Sequence, residues 1–441
     1  MKHSTNRRDF LKTSAVIGSG YFVAAGLSAQ ESKSPNETVQ IAAIGVGGKG
    51  DSDSRDAGSN GRLVAICDID ENNLNKKAKQ FAKAQKFSDY RKMLDEIGKS
   101  IDAVTVSTPD HTHAPAALMA MRMGKHCFCQ KPLTHTIEEA RLLGQVAREM
   151  KVATQMGNQG TAENSLREMA AVIKSGCLGP VKEVHVWTNR PVWPQGIERL
   201  PEEPVPSHVK WDLFIGPAKM RPYNQGYHPF KWRGWWDFGT GALGDMACHT
   251  VNMPYMALEL SDPTSVQAET PGHNKETYPG WSIINFEFPA RGNRGPVKMV
   301  WYDGQKYPPD SLLGGNEMSR SGALIIGEKG TLFAPGDYAE KGMKLIGNVQ
   351  KPSVDWERSP GHFEEWIRAI KGGAPAMSNF PDYAGPLTET ILLGNLAVFA
   401  ASEPGMGKKI EWDAKNLVAT NAPEVMHIVK KEYHNGFSIR G

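Results

Sequence analysis

From Val39 to about Met156 the chain alternates short apolar runs with longer stretches whose apolar residues recur every three or four positions. The runs predict strands at Gln40–Ile44, Arg62–Cys67, Ala103–Ser107, His126–Cys129 and Ala153–Met156. The longer stretches predict helices at Leu74–Ala84, Tyr90–Gly98, Ala114–Met123 and Ile137–Glu149. Alternation of this kind implies a parallel sheet covered on both faces, with its ligand-bearing edge at the carboxyl ends of the strands. One segment breaks the pattern: Asp51–Gly58, DSDSRDAG, is a poor amphipathic helix.

After Pro180 the texture changes to period-two runs at Val181–Trp187, Ser282–Phe288, Val297–Tyr302, Gly322–Ile326 and Gly330–Phe333. Gly327-Glu-Lys-Gly330 reads as a hairpin signal between the last two. These runs predict a mostly antiparallel sheet, with helices at 162–175, 243–259, 360–371 and 386–402. There is no internal repeat and no low-complexity tract. The expected organisation is an α/β fold in which a parallel-sheet domain spans 38–157 and a second α/β domain spans 158–441. The second domain carries a Trp-rich irregular insertion at about 187–240.

The first strand ends in Gly45-x-Gly47-x-x-Gly50, and the second closes on Asp68. This is the order of a dinucleotide-binding βαβ unit. Gly45 permits the tight turn, Gly47 lets the backbone approach a pyrophosphate, and Gly50 lets the helix pack close to the strand. The helix N-terminus then faces the phosphates. Asp68 would accept hydrogen bonds from the adenosine ribose and repel a 2′-phosphate, which selects NAD over NADP. Thr108-Pro109-Asp110-His111-Thr112-His113 and Gln130-Lys131-Pro132 both follow strands, so both are expected at the cofactor cleft.

Composition and charge add a destination. Arg7-Arg8 with Phe10-Leu11-Lys12, followed by a weakly apolar Ser14–Ala29 rich in Gly, Ala and Ser, reads as a twin-arginine (Tat) export signal over 1–29 and predicts a periplasmic protein. No cysteine follows the apolar stretch and no second long apolar run exists, so no membrane anchor is expected. The formal charge of +3 is carried by the leader, where Lys2, Arg7, Arg8 and Lys12 face Asp9. The remainder is near neutral, which disfavours nucleic acid as a partner. Five scattered cysteines do not form a disulfide framework, and no metal site is expected.

TPDHTH (108–113), GKHCFCQKPLTHTIEEA (124–140), YRKMLDE (90–96) and GDMACH (244–249) together resemble the Gfo/Idh/MocA oxidoreductases, from about residue 38 to 402. The resemblance implies a Rossmann domain followed by an α/β domain with a large open sheet. It also implies a homo-oligomer acting on sugars, inositols or related polyols with NAD(P). Carried over by position, it makes Gly45, Gly47, Gly50, Asp68, Thr108, Pro109 and His113 dinucleotide contacts. Lys131 matches the lysine of the family's Glu-Lys-Pro, while Asp245 and His249 match its Asp-x-x-x-His helix. Two positions depart from the pattern: Gln130 stands for the glutamate and Asn252 for an aspartate three residues after the histidine. Gln130 keeps the capacity to hydrogen-bond the cofactor but carries no charge.

Oxidising a secondary alcohol moves a hydride to the nicotinamide and needs a base for the hydroxyl proton. Lys131, at the cleft end of a strand, and His249 are the candidates. Asp245 lies one helical turn before His249 and would orient it, with Asn252 expected on the same stripe. Six of the eleven tryptophans fall between 187 and 236, and at least one ring is expected in the site. Trp232 and Trp235 would face a pyranose, with Arg233, His228 and Asp237 available for its hydroxyls. The expected activity is oxidation of a ring hydroxyl of a sugar or glycoside by tightly held NAD that is recycled in place. An alternative is a glycosidase that oxidises transiently and eliminates the aglycone. That branch of the resemblance carries Tyr-x-x-His where this chain has Phe238-Gly-Thr-Gly241, which argues against it.

Overall fold

The computed structural model describes residues 38–440. The export signal read at 1–29 lies outside the described residues. The first sheet is wholly parallel, with strands β1 (Gln40–Ile44), β2 (Arg62–Cys67), β3 (Gln85–Phe87), β4 (Ala103–Val106), β5 (His126–Cys129) and β6 (Thr154–Met156). Their order, β3-β2-β1-β4-β5-β6, turns back at β1, so the crevice for a ligand opens between the ends of β1 and β4. Strand β3 was not anticipated, because three residues at a sheet edge, two of them exposed, carry no readable period.

Helices Glu71–Gln80, Tyr90–Ile97 and Ile137–Met150 follow the predicted pattern, and each starts on a residue suited to capping. Asp70 and Asp89 accept the Asn72 and Arg91 amides, while Thr136 and Glu139 form a reciprocal capping box. The segment that reads as poorly amphipathic is nevertheless helical over Lys49–Asn60, with Asp53, Ser54 and Ala57 buried. The helix expected from Ala114 begins at Asp110, so Asp110–His113 form its first turn and not a loop. Pro115 inside it cannot donate to the His111 carbonyl. Lys431 Nζ supplies that hydrogen bond instead, at 3.2 Å.

The second sheet has ten strands in the order β13-β12-β11-β7-β10-β9-β8-β15-β16, with β14 beside β8. The five predicted strands are β7 (Val181–Trp187), β9 (Ile283–Phe288), β10 (Val297–Tyr302), β11 (Gly322–Gly327) and β12 (Thr331–Pro335). Only β7 and β10 pair in parallel, so the sheet is mostly antiparallel as the sequence implies. The unpredicted strands are β8 (Ser265–Pro271), β13 (Lys344–Ile346), β14 (Pro404–Met406), β15 (Ile410–Asp413) and β16 (Val418–Ala419).

Both sheets belong to one compact unit that starts at Thr38. Later segments pack back across the expected division at 157/158, as where Arg141 pairs with Glu389 and the Met156 amide donates to the Ser378 carbonyl. Helix His362–Ile370 inserts Phe363, Trp366 and Ile367 among Val39, Ile41, Ala43 and Phe128 of the parallel sheet. Its apolar stripe therefore completes one face of the nucleotide domain, from 200 residues downstream.

Candidate active site

A cavity of about 680 Å³ opens at the carboxyl ends of the parallel strands and runs towards helix Gly241–Thr250. At one end is the glycine turn. Gly45 has φ +79°, and a Cβ there would lie 2.5 Å from the Ser107 carbonyl oxygen. At Gly50 a Cβ would lie 2.1 Å from the Gly45 carbonyl oxygen, so this glycine sets the helix against the turn and does not itself line the cavity. Helix Lys49–Asn60 starts with no side-chain cap, beside Gly47, Gly48 and Lys49 in the cavity wall. Its free amides and macrodipole suit a pyrophosphate. Asp68 lines the same end and accepts from the Val46 and Gly47 amides (2.9 and 3.1 Å) and the Asp70 amide (2.9 Å). Its fourth contact, from Asn73 at 3.4 Å, is the weak one that a ribose hydroxyl can replace. Burial raises the Asp68 carboxyl above its ordinary range.

The neutral residue at 130 has a structural counterpart that the sequence did not reveal. Gln130 lines the cavity, but its Nε2 donates to Asp53 Oδ2 at 2.8 Å, and Ser107 Oγ donates to the same oxygen at 2.8 Å. Lys49 Nζ reaches Asp53 Oδ1 at 2.6 Å. Asp53 and Gln130 are both buried, and a glutamate at 130 would set two carboxylates against each other. Gln130→Glu alone should therefore lower the melting temperature, and the double variant Gln130→Glu/Asp53→Asn should recover most of the loss. Additive losses in the double variant would show that the two positions are not coupled.

At the other end of the cavity Lys131 Nζ donates to Asp245 Oδ1 (2.8 Å) and to its main-chain carbonyl (2.7 Å). Arg233 Nε donates to the same carboxylate oxygen at 3.2 Å, and its guanidinium lies 4.2 Å from the Trp232 ring centroid. Burial of Asp245 would raise its pKa, but Lys131 and Arg233 outweigh it and hold the carboxyl at about 2. His249, one helical turn on, has a buried Nδ1 with no hydrogen-bond partner, and Tyr338 packs edge-on against its ring at 4.6 Å. Burial and the Lys131 charge keep the imidazole pKa well below its usual value, so the ring is neutral. Asp110 also faces the cavity. Burial pushes its carboxyl up to about 7 against the opposing hydrogen bond from Thr240 Oγ1 (2.6 Å).

Several expected contacts lie elsewhere. His113 does not face the cavity; its ring nitrogens sit 2.9 and 2.8 Å from the Pro132 and Thr108 carbonyls, tying two cleft loops together. Burial lowers its pKa to about 4, so the neutral ring donates to one of the two. Trp235 is fully buried, with its indole donating to Gly226 and its ring against Tyr227. It belongs to an aromatic core with Trp211, Phe214 and Phe238. Of the six clustered tryptophans only Trp232 lines the cavity. Asn252 leaves the Asp245–His249 stripe because the helix ends at Thr250; it bonds Thr161 and Tyr383 instead. His228 lines the cavity but is engaged by Asp70 at 3.1 Å, and Asp237 pairs with Arg221 outside the cavity. Thr108 and Pro109 do line it, and so do Gln159, Arg190 and Tyr338, which no motif announced.

Residues 12–158 match the model of an oxidoreductase family with an NAD-binding Rossmann fold, and residues 162–435 match that family's C-terminal α/β domain. Among curated proteins, a levoglucosan dehydrogenase from Pseudarthrobacter phenanthrenivorans is 25% identical over 221 residues, covering 50% of this chain and 49% of that protein. A glycosyl hydrolase family 109 protein from Solibacter usitatus is 32% identical over 151 residues, covering 31% of this chain and 34% of that protein. The chain thus spans half or less of the length of these curated relatives. A solved WlbA dehydrogenase from Bordetella pertussis, in complex with NADH and UDP-GlcNAcA, superposes with a TM-score of 0.58 at 18% identity. That likeness covers 83% of this chain and 97% of that one, and speaks for the fold.

Proposed function

Because the chain belongs to the Gfo/Idh/MocA oxidoreductase family and carries its NAD-binding Rossmann domain, we propose that it oxidises a ring hydroxyl of a sugar or glycoside. The observation that carries this reading is the Lys131–Asp245 pair beside the neutral His249, at the far end of a cavity that begins at the glycine turn. Bound NAD supplies the hydride acceptor. Lys131 spends two donors on Asp245 and turns the remaining one to the substrate oxygen, where charge develops. The neutral His249 accepts the hydroxyl proton. Arg233, stacked on Trp232, forms a wall with one apolar and one hydrogen-bonding component, which suits a pyranose.

The redox reading is favoured over the glycosidase by position 241. Gly241 has φ +68°, and a Cβ there would lie 2.7 Å from the Tyr278 ring, so a histidine at that place would be strained and would displace Tyr278. The test mixes holoenzyme with sugars, glycosides and inositols, following absorbance near 340 nm and product masses. Loss of two hydrogens from the sugar supports the proposal. Aglycone release with no net oxidation supports the glycosidase, and reduction only by non-carbohydrate alcohols overturns the sugar assignment.

We also propose export through the twin-arginine route, motivated by Arg7-Arg8 and Phe10-Leu11-Lys12. That route carries folded proteins and so delivers NAD already bound, to a compartment where a released cofactor would be lost. Changing both arginines to lysine should retain the protein in the cytoplasm, and undiminished periplasmic protein in that variant would refute it. In such a setting the cofactor is recycled in place, by a second carbonyl substrate or a later redox-neutral step. Oligomerisation, which the family resemblance implies, is part of the same proposal.

A further inference from the structure

We propose that Phe437 is a cofactor-binding residue, closing the adenosine end of the NAD cleft from a C-terminal segment that lies beyond the part matched to the family. That match ends at residue 435. The inference rests on NAD binding alone and is independent of which alcohol is oxidised.

The cavity wall at this end is made by Asp68, Ser88, Asp89, Tyr90 and Phe437. Asp68, at the end of β2, marks the place of the adenosine ribose. Two aromatic rings stand at this end, and Phe437, the less buried of the two because Tyr90 is 8% exposed, is the one open to the base. It sits just after an Asn435-Gly436 turn whose two central residues have φ +57° and +76°, closed by the Phe437 amide on the His434 carbonyl at 3.0 Å. Asn-Gly is suited to two successive positive φ values.

The segment is tied down on both sides of the ring. Before it, Lys431 pairs with Glu139 at 2.9 Å, and Asn435 Nδ2 donates to the Gly216 and Ala218 carbonyls at 2.8 and 2.9 Å. After it, Arg122 donates to the Ile439 carbonyl at 2.7 Å. The ring itself is braced. The Arg91 guanidinium lies 4.4 Å from its centroid, and Asp89 holds that guanidinium through bonds of 3.0 and 2.7 Å. Tyr90 meets the ring at 6.4 Å. A platform fixed in this way loses little freedom when a base stacks on it, so its contact is retained as affinity.

The experiment follows release of NAD from diluted holoprotein and measures competition by ADP-ribose and by nicotinamide mononucleotide. Phe437→Ala should release NAD about tenfold faster and bind ADP-ribose about tenfold more weakly, in line with the loss of one base–aromatic stack. Its affinity for nicotinamide mononucleotide should not change, and Phe437→Trp should stay within about twofold of wild type. Retention of NAD by Phe437→Ala at the wild-type rate would overturn the proposal. So would equal weakening towards both half-molecules, which would mean general loosening of the fold. If the alanine variant does not fold, Phe437→Leu carries the same comparison, since it keeps apolar bulk and removes the stacking face.

Discussion

Lys131→Met should reduce kcat by about 10²–10⁴ and leave the NAD content of the purified protein unchanged. The lysine touches Asp245 at the end of the cavity proposed for the substrate, while the glycine turn and Asp68 lie at the other end. His249→Ala should show a loss of the same order if, as proposed, its neutral ring accepts the hydroxyl proton. The sign of the pH dependence follows from burial. In the proposed mechanism the accepting form is the neutral imidazole, and its pKa is held well below 6.5. The kcat/KM profile for oxidation should therefore show no acid limb from His249 in the ordinary histidine range, and a limb near pH 7 that disappears in Asp110→Asn belongs to Asp110. Nucleotide content is read from denatured extracts and kcat from holoenzyme with its best sugar. Near-normal turnover in either variant removes that residue from the mechanism, and lost NAD in Lys131→Met reassigns the lysine to cofactor binding.

The parts of the site legible in the sequence were those fixed by local geometry. A left-handed Gly45, the close helix at Gly50 and the i, i+4 spacing of Asp245 and His249 are constraints over a few residues, and each leaves a pattern. What failed depends on contacts between distant segments. Helix Lys49–Asn60 reads poorly because its inner face carries Asp53 and Ser54, buried in hydrogen bonds to Gln130, Ser107 and the helix backbone. The polar network that hid the helix is part of the cleft wall. Trp232 and Trp235 stand three residues apart in a stretch broken by Pro and Gly, so no period tells which ring meets the cavity and which fills the Trp211–Phe238 core. His113 and His249 are the same residue type at cleft-facing motifs. Only the tertiary structure shows that two backbone carbonyls flank the first while the Nδ1 of the second is unpartnered. Strands β13 to β16 are two to four residues long, and helix His362–Ile370 shows its amphipathic stripe without showing which sheet it covers.

Asp245→Ala should cost the most stability of any substitution at the site. The carboxylate is the shared partner of two cations, Lys131 at 2.8 Å and Arg233 at 3.2 Å, in a largely buried setting. Removing one member of such a group leaves uncompensated charge and costs about 3–5 kcal/mol. Asp245→Asn keeps an acceptor for Lys131 and should lose less. The pH dependence distinguishes charge from packing. The folded-state pKa is depressed to about 2 from an ordinary value of 3.8. The stabilisation it brings is thus fully present above the ordinary carboxylate range and is lost as pH falls through about 2. Urea unfolding of wild type and Asp245→Asn, both stripped of substrate and saturated with NAD, should give a gap that is constant from pH 7 to about pH 5 and narrows at lower pH. A gap independent of pH down to the acid-unfolding limit would assign the loss to packing. In that case the hydrogen bonds from Lys131 to Asp245, and not the charge of the carboxylate, would account for where the lysine sits.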